Sequence, residues 1–250
     1  SVWTAFFLII TTFLFSKWSV FKKILFDKKK LSILLISGFL IFINWGVWIY
    51  SVTQDKIIDA SFGYFIMPII SVFLGNFFFK EQITKKGKIS IFLVIFSVTY
   101  LFILDFTSIP WVGLIVAFSW SFYNLFRKKI KVDTDIGLLV ESLFILPFML
   151  IVFYFITINN FNDFSLANPK IMPLLMLAGP MTVIPLFLYV KGVELAGLGP
   201  AGMIFYITPT LQFLLGFFIY NEHFNINQLV SFILIWIAVF IYLKDIYEKN

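Results

Sequence analysis

Long stretches of this chain are apolar on every side, and short polar segments separate them. The apolar runs are about 16 to 23 residues long, enough to cross a hydrocarbon core of about 30 Å as helices. A helix at the surface of a soluble domain would show a polar face at a 3.6-residue period, and these runs show none. The pattern predicts nine spans, over residues 1–15, 31–52, 60–79, 89–104, 111–126, 136–158, 172–190, 200–220 and 228–243.

Part of the pattern occurs twice. Pro68, Gly75 and Glu81 reappear as Pro209, Gly216 and Glu222, all at one offset of 141 residues, with each Glu just past the end of an apolar run. Matched apolar halves mark secondary transporters built from internal repeats. The third span matches the eighth, and this odd separation predicts inverted topology. The expected fold is an all-α membrane protein of two inverted five-helix repeats, residues 1–106 and 107–250. At the same offset, the counterpart of the helix near Trp111 would begin about 30 residues before Ser1. The expectation is therefore a ten-helix fold with its first helix missing and nine spans present.

Charge orients the spans. Segments 17–30, 80–88 and 127–131 hold fourteen Lys and Arg, whereas the intervening segments hold only Lys56 and Lys170. By the positive-inside rule the basic segments are cytoplasmic, as is the C-terminus, in a bacterial inner (plasma) membrane. This placement accounts for the net charge of +6 without a nucleic-acid partner. The chain has no Cys and one His, His223, which excludes disulfides and the usual multi-histidine metal sites. It has no P-loop, HExxH or GxSxG, so direct ATP coupling and the familiar hydrolase sites are not expected. No catalytic residue, metal or cofactor is expected. The competing readings are a non-transporting membrane scaffold and an intramembrane enzyme built on Glu141 or His223.

Several strings resemble a known family. They are Asn44-Trp45; Ala60-Ser61-Phe62-Gly63-Tyr64-Phe65-Ile66-Met67-Pro68; Phe122-Tyr123-Asn124-Leu125-Phe126-Arg127-Lys128-Lys129-Ile130; Glu141 with Leu146-Pro147; and Pro209-Thr210-Leu211 with Phe213-Leu214-Leu215. Together they resemble the RarD-type permeases of the drug/metabolite transporter superfamily, the EamA-domain proteins. The resemblance runs the whole length and begins inside that family's second helix. It implies a permease of five plus five inverted helices with cytoplasmic termini, and it names the machine more firmly than the cargo. Some members are named for chloramphenicol sensitivity.

Candidate residues follow from breaks and polar groups within the spans. Pro68 and Pro209 each remove an amide donor and are candidate hinges. Gly75 and Gly216 would let helices approach closely. Glu81 and Glu222, at opposite surfaces, would act as gates or lie solvated. Glu141, inside its span, would bind a proton or cation, or pair with the cluster at Arg127; a central charge costs roughly 2.5–3.5 kcal/mol on insertion scales. Lys191, at the end of the seventh span, would snorkel. Asn44, Trp45, Tyr64, Trp120, Tyr123, Tyr206 and Gln212 are candidates to line a substrate cavity, the aromatics having interfacial anchoring as their alternative role. The expected partners are a small organic solute and the lipid bilayer, with protons as a candidate coupling ion and oligomeric state left open.

Overall fold

The computed structural model describes residues 2–54, 57–105, 110–159, 171–218 and 226–248. Every regular element among them is an α-helix: α1 (Val2–Leu14), α2 (Trp18–Phe26), α3 (Lys28–Thr53), α4 (Ile57–Phe79), α5 (Lys85–Asp105), α6 (Trp111–Lys129), α7 (Thr134–Ile158), α8 (Ile171–Ala196), α9 (Leu198–Ile204), α10 (Ile207–Phe218) and α11 (Ile226–Tyr247). Six of them are long and apolar enough to cross a membrane, or seven if α1 and α2, bent by 116°, form one span. Nine spans were expected; the described residues do not confirm that number, and several of the expected spans are short or interrupted for local reasons. Chain reversal at Ser16, with φ of 53°, stops α1 after 13 residues. The last turn of α6 carries Arg127, Lys128 and Lys129, which lower its apolar content. The run 200–220 divides at Phe205–Tyr206 into α9 and α10. The basic segment 17–30, expected as a loop, is largely helical, in α2 and the first turn of α3.

Large apolar side chains face outward along these helices, as at Phe13, Phe26, Met181 and Leu188. Such exposure suits lipid contact, because hydrocarbon tails solvate apolar side chains as well as a protein interior does.

The chain divides into two compact units, one of Ser1–Phe42 with Phe126–Leu195 and one of Ile43–Leu125 with Ala196–Asn250. In the first, α1 and α2 pack against α7. Leu8, Phe21, Ile24 and Leu34 meet Ile136, Leu139 and Val140 in its core. Phe21 and Ile24, three residues apart on α2, lie on one face of that helix and dock it. Lys17, in the bend between α1 and α2, reaches Asp135 at 2.8 Å and Asp133 at 3.3 Å and fixes the turn.

In the second unit α5 packs against α11 and α4 against α9. Ser97 donates to the Ser231 carbonyl, Tyr100 to Asn227 and Thr84 to Asp245. Rising numbers on α5 thus meet falling numbers on α11, so the two are antiparallel. Val94 and Ile235 lie at the centre of the core they share with Phe65, Met203 and Tyr206.

Candidate functional site

The second unit holds a line of aromatic rings. Trp48 of α3 lies 5.3 Å from Tyr64 of α4, Tyr64 lies 5.7 Å from Phe205, and Phe205 lies 6.0 Å from Trp120 of α6. Trp120 in turn lies 6.0 Å from Tyr123. These spacings fall in the range of favourable ring pairs. The sequence-predicted Tyr64, Trp120 and Tyr123 are therefore brought together, and Trp48 and Phe205 join them. A signal for both additions was available: Trp48 lies one turn beyond Asn44, and Phe205 is the repeat equivalent of Tyr64.

The prolines act differently in the two halves. Pro68 sits inside the continuous helix α4 and deprives the Tyr64 carbonyl of its α-helical donor. Pro209 is the third residue of α10, where a missing amide removes no intrahelical bond, and the Phe205 carbonyl accepts the Thr208 amide at 2.9 Å instead.

Asn44 is buried, and its Nδ2 donates to the Val116 carbonyl and to Ser119 Oγ, both at 3.0 Å. Its amide thus ties α3 to α6. Trp45 is half-buried on α3. Tyr206 is buried, and its hydroxyl donates to the Phe65 carbonyl at 2.7 Å. Tyr206→Phe is expected to destabilise the protein by about 1 kcal/mol, the net value of one such bond, read as a lowered unfolding midpoint in detergent. Gln212 and Gly216 fall on α10, where their surroundings lie outside the described residues, and Glu222 lies outside them altogether.

Glu81 is not a solvated loop end. Its Oε1 accepts the Leu198 amide and its Oε2 the Gly199 amide, each at 2.9 Å. It therefore caps α9, whose own N-cap residue is Gly197 and offers no side chain. Gly75, expected to serve helix packing, lies where an added Cβ would stand 2.5 Å from Glu81 Oε2.

The first unit holds a buried ionic cluster. Arg127, whose side chain is 0% exposed, lies 3.6 Å from Glu141 and 3.6 Å from Glu194. Its Nη2 also donates to the Thr134 carbonyl at 3.2 Å. Glu141 accepts the Ser37 hydroxyl at 2.5 Å, and Glu194 accepts that of Thr134 at 2.8 Å. Lys191, expected at a span end, lies inside α8 with its Nζ 3.6 Å from Glu194. Glu194 was missed because it follows the apolar run of α8 and has no counterpart in the repeat.

Outside the spans, the hydrogen bond to Asp135 holds the Lys17 ammonium above its usual pKa, with help from Asp133. The bond from Lys86 pulls the Glu248 carboxyl below the ordinary range. Among the described residues no group of three or more His, Cys, Asp or Glu is placed to hold a metal.

Apolar helices enclosing an aromatic line and a buried ion cluster describe a multi-pass membrane protein with polar chemistry held at depth. Comparison with known proteins supplies the family: the chain belongs to the EamA-like transporter family, whose model matches residues 1–103 and 107–244. It is thus a membrane transporter of the drug/metabolite superfamily. It is 32% identical to protein RarD of Escherichia coli over 98% of this chain and 82% of that protein. It is 31% identical to the transporter YojE of Bacillus subtilis over 96% of this chain and 81% of that protein. It is also 26% identical to the chloramphenicol-sensitive protein RarD of Pseudomonas aeruginosa over 82% of this chain and 67% of that protein.

Proposed function

We propose that this transporter carries a small organic solute across the bacterial inner membrane by alternating access of two inverted five-helix repeats, residues 1–106 and 107–250. The observation that carries the reading is the hydrogen bond from Tyr206 to the Phe65 carbonyl, which joins positions 141 residues apart. Repeat-equivalent residues can meet only near an axis relating the repeats. Two further meetings at the same offset support it, the ring pair Tyr64–Phe205 and the shared core of Val94 and Ile235. The helices that carry these meetings are α4 with α9 and α5 with α11. Both pairs run antiparallel, as inversion requires.

The solute would bind against the rings of Trp48, Tyr64, Phe205, Trp120 and Tyr123, where the π faces suit an amphipathic or aromatic compound. Pro68 would let α4 bend beside the site, and Glu81 would gate the cytoplasmic side by holding or releasing α9. Its pairing with Arg127 favours a structural role for Glu141 over proton carriage. The C-terminus would be cytoplasmic, with the basic segments.

The test is uptake of labelled aromatic and amphipathic metabolites into liposomes containing the purified protein, with and without a pH gradient. Trp120→Ala and Tyr64→Ala are each expected to lower the transport efficiency of a saturable solute about three- to tenfold, matching the 0.5–1.5 kcal/mol of a ring pair. Phe118→Ala, at an exposed position, should leave it unchanged. Equal transport by all three variants would remove the aromatic line as the binding site.

A further inference from the structure

The basic segment between α1 and α3 is built as a two-faced helix rather than as a charged loop. α1 and α2 meet at 116°, so α2 runs across the direction of the helix before it. Trp18, Phe21 and Ile24 form its inner face. Phe21 and Ile24 are buried in one core with Leu139 and Val140 of α7, and the Trp18 and Phe21 rings lie 5.4 Å apart. Ser19, Lys22, Lys23 and Phe26 form the outer face, at the i, i+3, i+4, i+7 spacing of one helix side, and all four are exposed.

Charge and shape together decide what this face meets. Lys22 and Lys23, and Lys28 and Lys29 at the start of α3, pair with no carboxylate among the described residues. The acids nearby are engaged: Asp27 lies 3.8 Å from Lys30, and Asp133 and Asp135 hold Lys17. One turn beyond Lys22 and Lys23, on the same face, the Phe26 ring is 86% exposed. Phe13, Leu14 and Phe15, just before the bend, are exposed as well, so apolar surface runs up to the start of α2. A free anion would satisfy the ammoniums and leave the Phe26 ring in water. A phospholipid with a negatively charged headgroup satisfies both, because interfacial helices join lysines to anionic headgroups and large apolar side chains to the acyl boundary.

We propose that the outer face of α2 binds a negatively charged glycerophospholipid, its phosphate met by Lys22 and Lys23 and its glycerol and acyl region by Phe26. The inner face fixes α2 to α7, so the bound lipid holds the first unit at the bilayer surface. Binding here is independent of the cargo and is measured without transport.

The chain has no Cys, so Ser19→Cys gives a single attachment point on this face for a polarity-sensitive dye. The labelled protein in non-ionic detergent is titrated with dihexanoyl phosphatidylglycerol, following the dye emission. A saturable blue shift is expected. Dihexanoyl phosphatidylcholine, with the same chains and no net charge, should bind at least about tenfold more weakly, and glycerol phosphate, with the charge and no chains, should give no shift. Lys22→Gln/Lys23→Gln should weaken the phosphatidylglycerol response at least about tenfold, because each ammonium near an anionic surface contributes about fivefold. Lys22→Arg/Lys23→Arg should restore it, and Phe26→Ala should weaken it about threefold or more. Lys85→Gln/Lys88→Gln, exposed lysines at the start of α5 in the other unit, should bind as the labelled parent does. Equal binding by the parent and by Lys22→Gln/Lys23→Gln would overturn the proposal. So would equal affinity for the two lipids, or the same loss from Lys85→Gln/Lys88→Gln. A saturable response to glycerol phosphate alone would make this a site for a free anion and overturn it too.

Discussion

Replacing Arg127 by methionine should destabilise the protein by about 3–5 kcal/mol, because two carboxylates would lose the cation they share inside the bundle. Glu141 is the more severely affected, with a side chain only 3% exposed, whereas Glu194 at 19% retains Lys191 nearby. The penalty arises from the uncompensated charge rather than from the net value of the pair. The double variant Arg127→Met/Glu141→Gln should therefore recover a substantial part of the loss, since the neutral amide can still engage Ser37. Gly137 gives an independent route to the same defect. A Cβ there would lie 2.7 Å from Arg127 Cζ and 2.9 Å from Nη2, and the guanidinium sits too deep to move aside. Gly137→Ala should thus resemble Arg127→Met in unfolding midpoint. If thermal unfolding in detergent found Arg127→Met within about 1 kcal/mol of wild type, the range of an exposed pair, the cluster would not be the structural keystone of its unit.

The unequal legibility of the chain has physical causes. Spans could be read because a hydrocarbon environment demands long apolar runs, and α3, α5, α7 and α11 lie within a few residues of their expected places. The ring positions were half readable: Tyr64, Trp120 and Tyr123 stood out by type and placement, but Phe205 looks like any of 35 phenylalanines until its partner across the repeat is known. The break between α9 and α10 could not be read, because the apolar run continues through Phe205 and Tyr206 without a polar residue. Of the two acid sites, the sequence indicated the pairing of Glu141 with Arg127 but not the other partners. Glu194 finds Arg127 from 67 positions away and Glu81 finds Gly199 across 118, and no local pattern encodes such meetings. At Gly75 an added Cβ would meet Leu198 Cβ on α9 at 3.2 Å and Glu81 Oε2 at 2.5 Å, so the sequence indicated the close helix approach but not the carboxylate that arrives from beyond the helix end.

That carboxylate gives the second large expected effect. Lys80 takes φ of 54° and turns the chain back under α4, the Glu81 amide bonds to the Gly75 carbonyl at 3.2 Å, and Asn76 holds the Glu81 carbonyl at 2.9 Å. The side chain is thereby aimed at the first amides of α9, a seven-residue helix with no cap of its own. Hydrogen bonds to a charged acceptor are worth about 1.5–3 kcal/mol, and losing a helix cap typically costs about 1. Glu81→Ala should therefore destabilise the protein by about 2–4 kcal/mol, through two orphaned amides where α9 meets α4. Gly75→Ala should cost a similar amount by evicting the carboxylate, with its Cβ also 3.2 Å from Leu198 Cβ. Because both changes break one interaction, their costs should not add. The double variant should lie within about 1 kcal/mol of the worse single one, whereas independent sites would sum to within about 0.5. Additive costs would mean that Gly75 serves helix packing alone and that the carboxylate does not depend on it. Non-additivity would make Gly75, Glu81 and the α9 N-terminus one device, and Glu81→Ala should then also increase labelling by a water-soluble thiol reagent of a cysteine placed at Val72, which is buried where α4 meets α9. Labelling unchanged from the Val72→Cys parent would leave the latch structurally important but remove it as a gate.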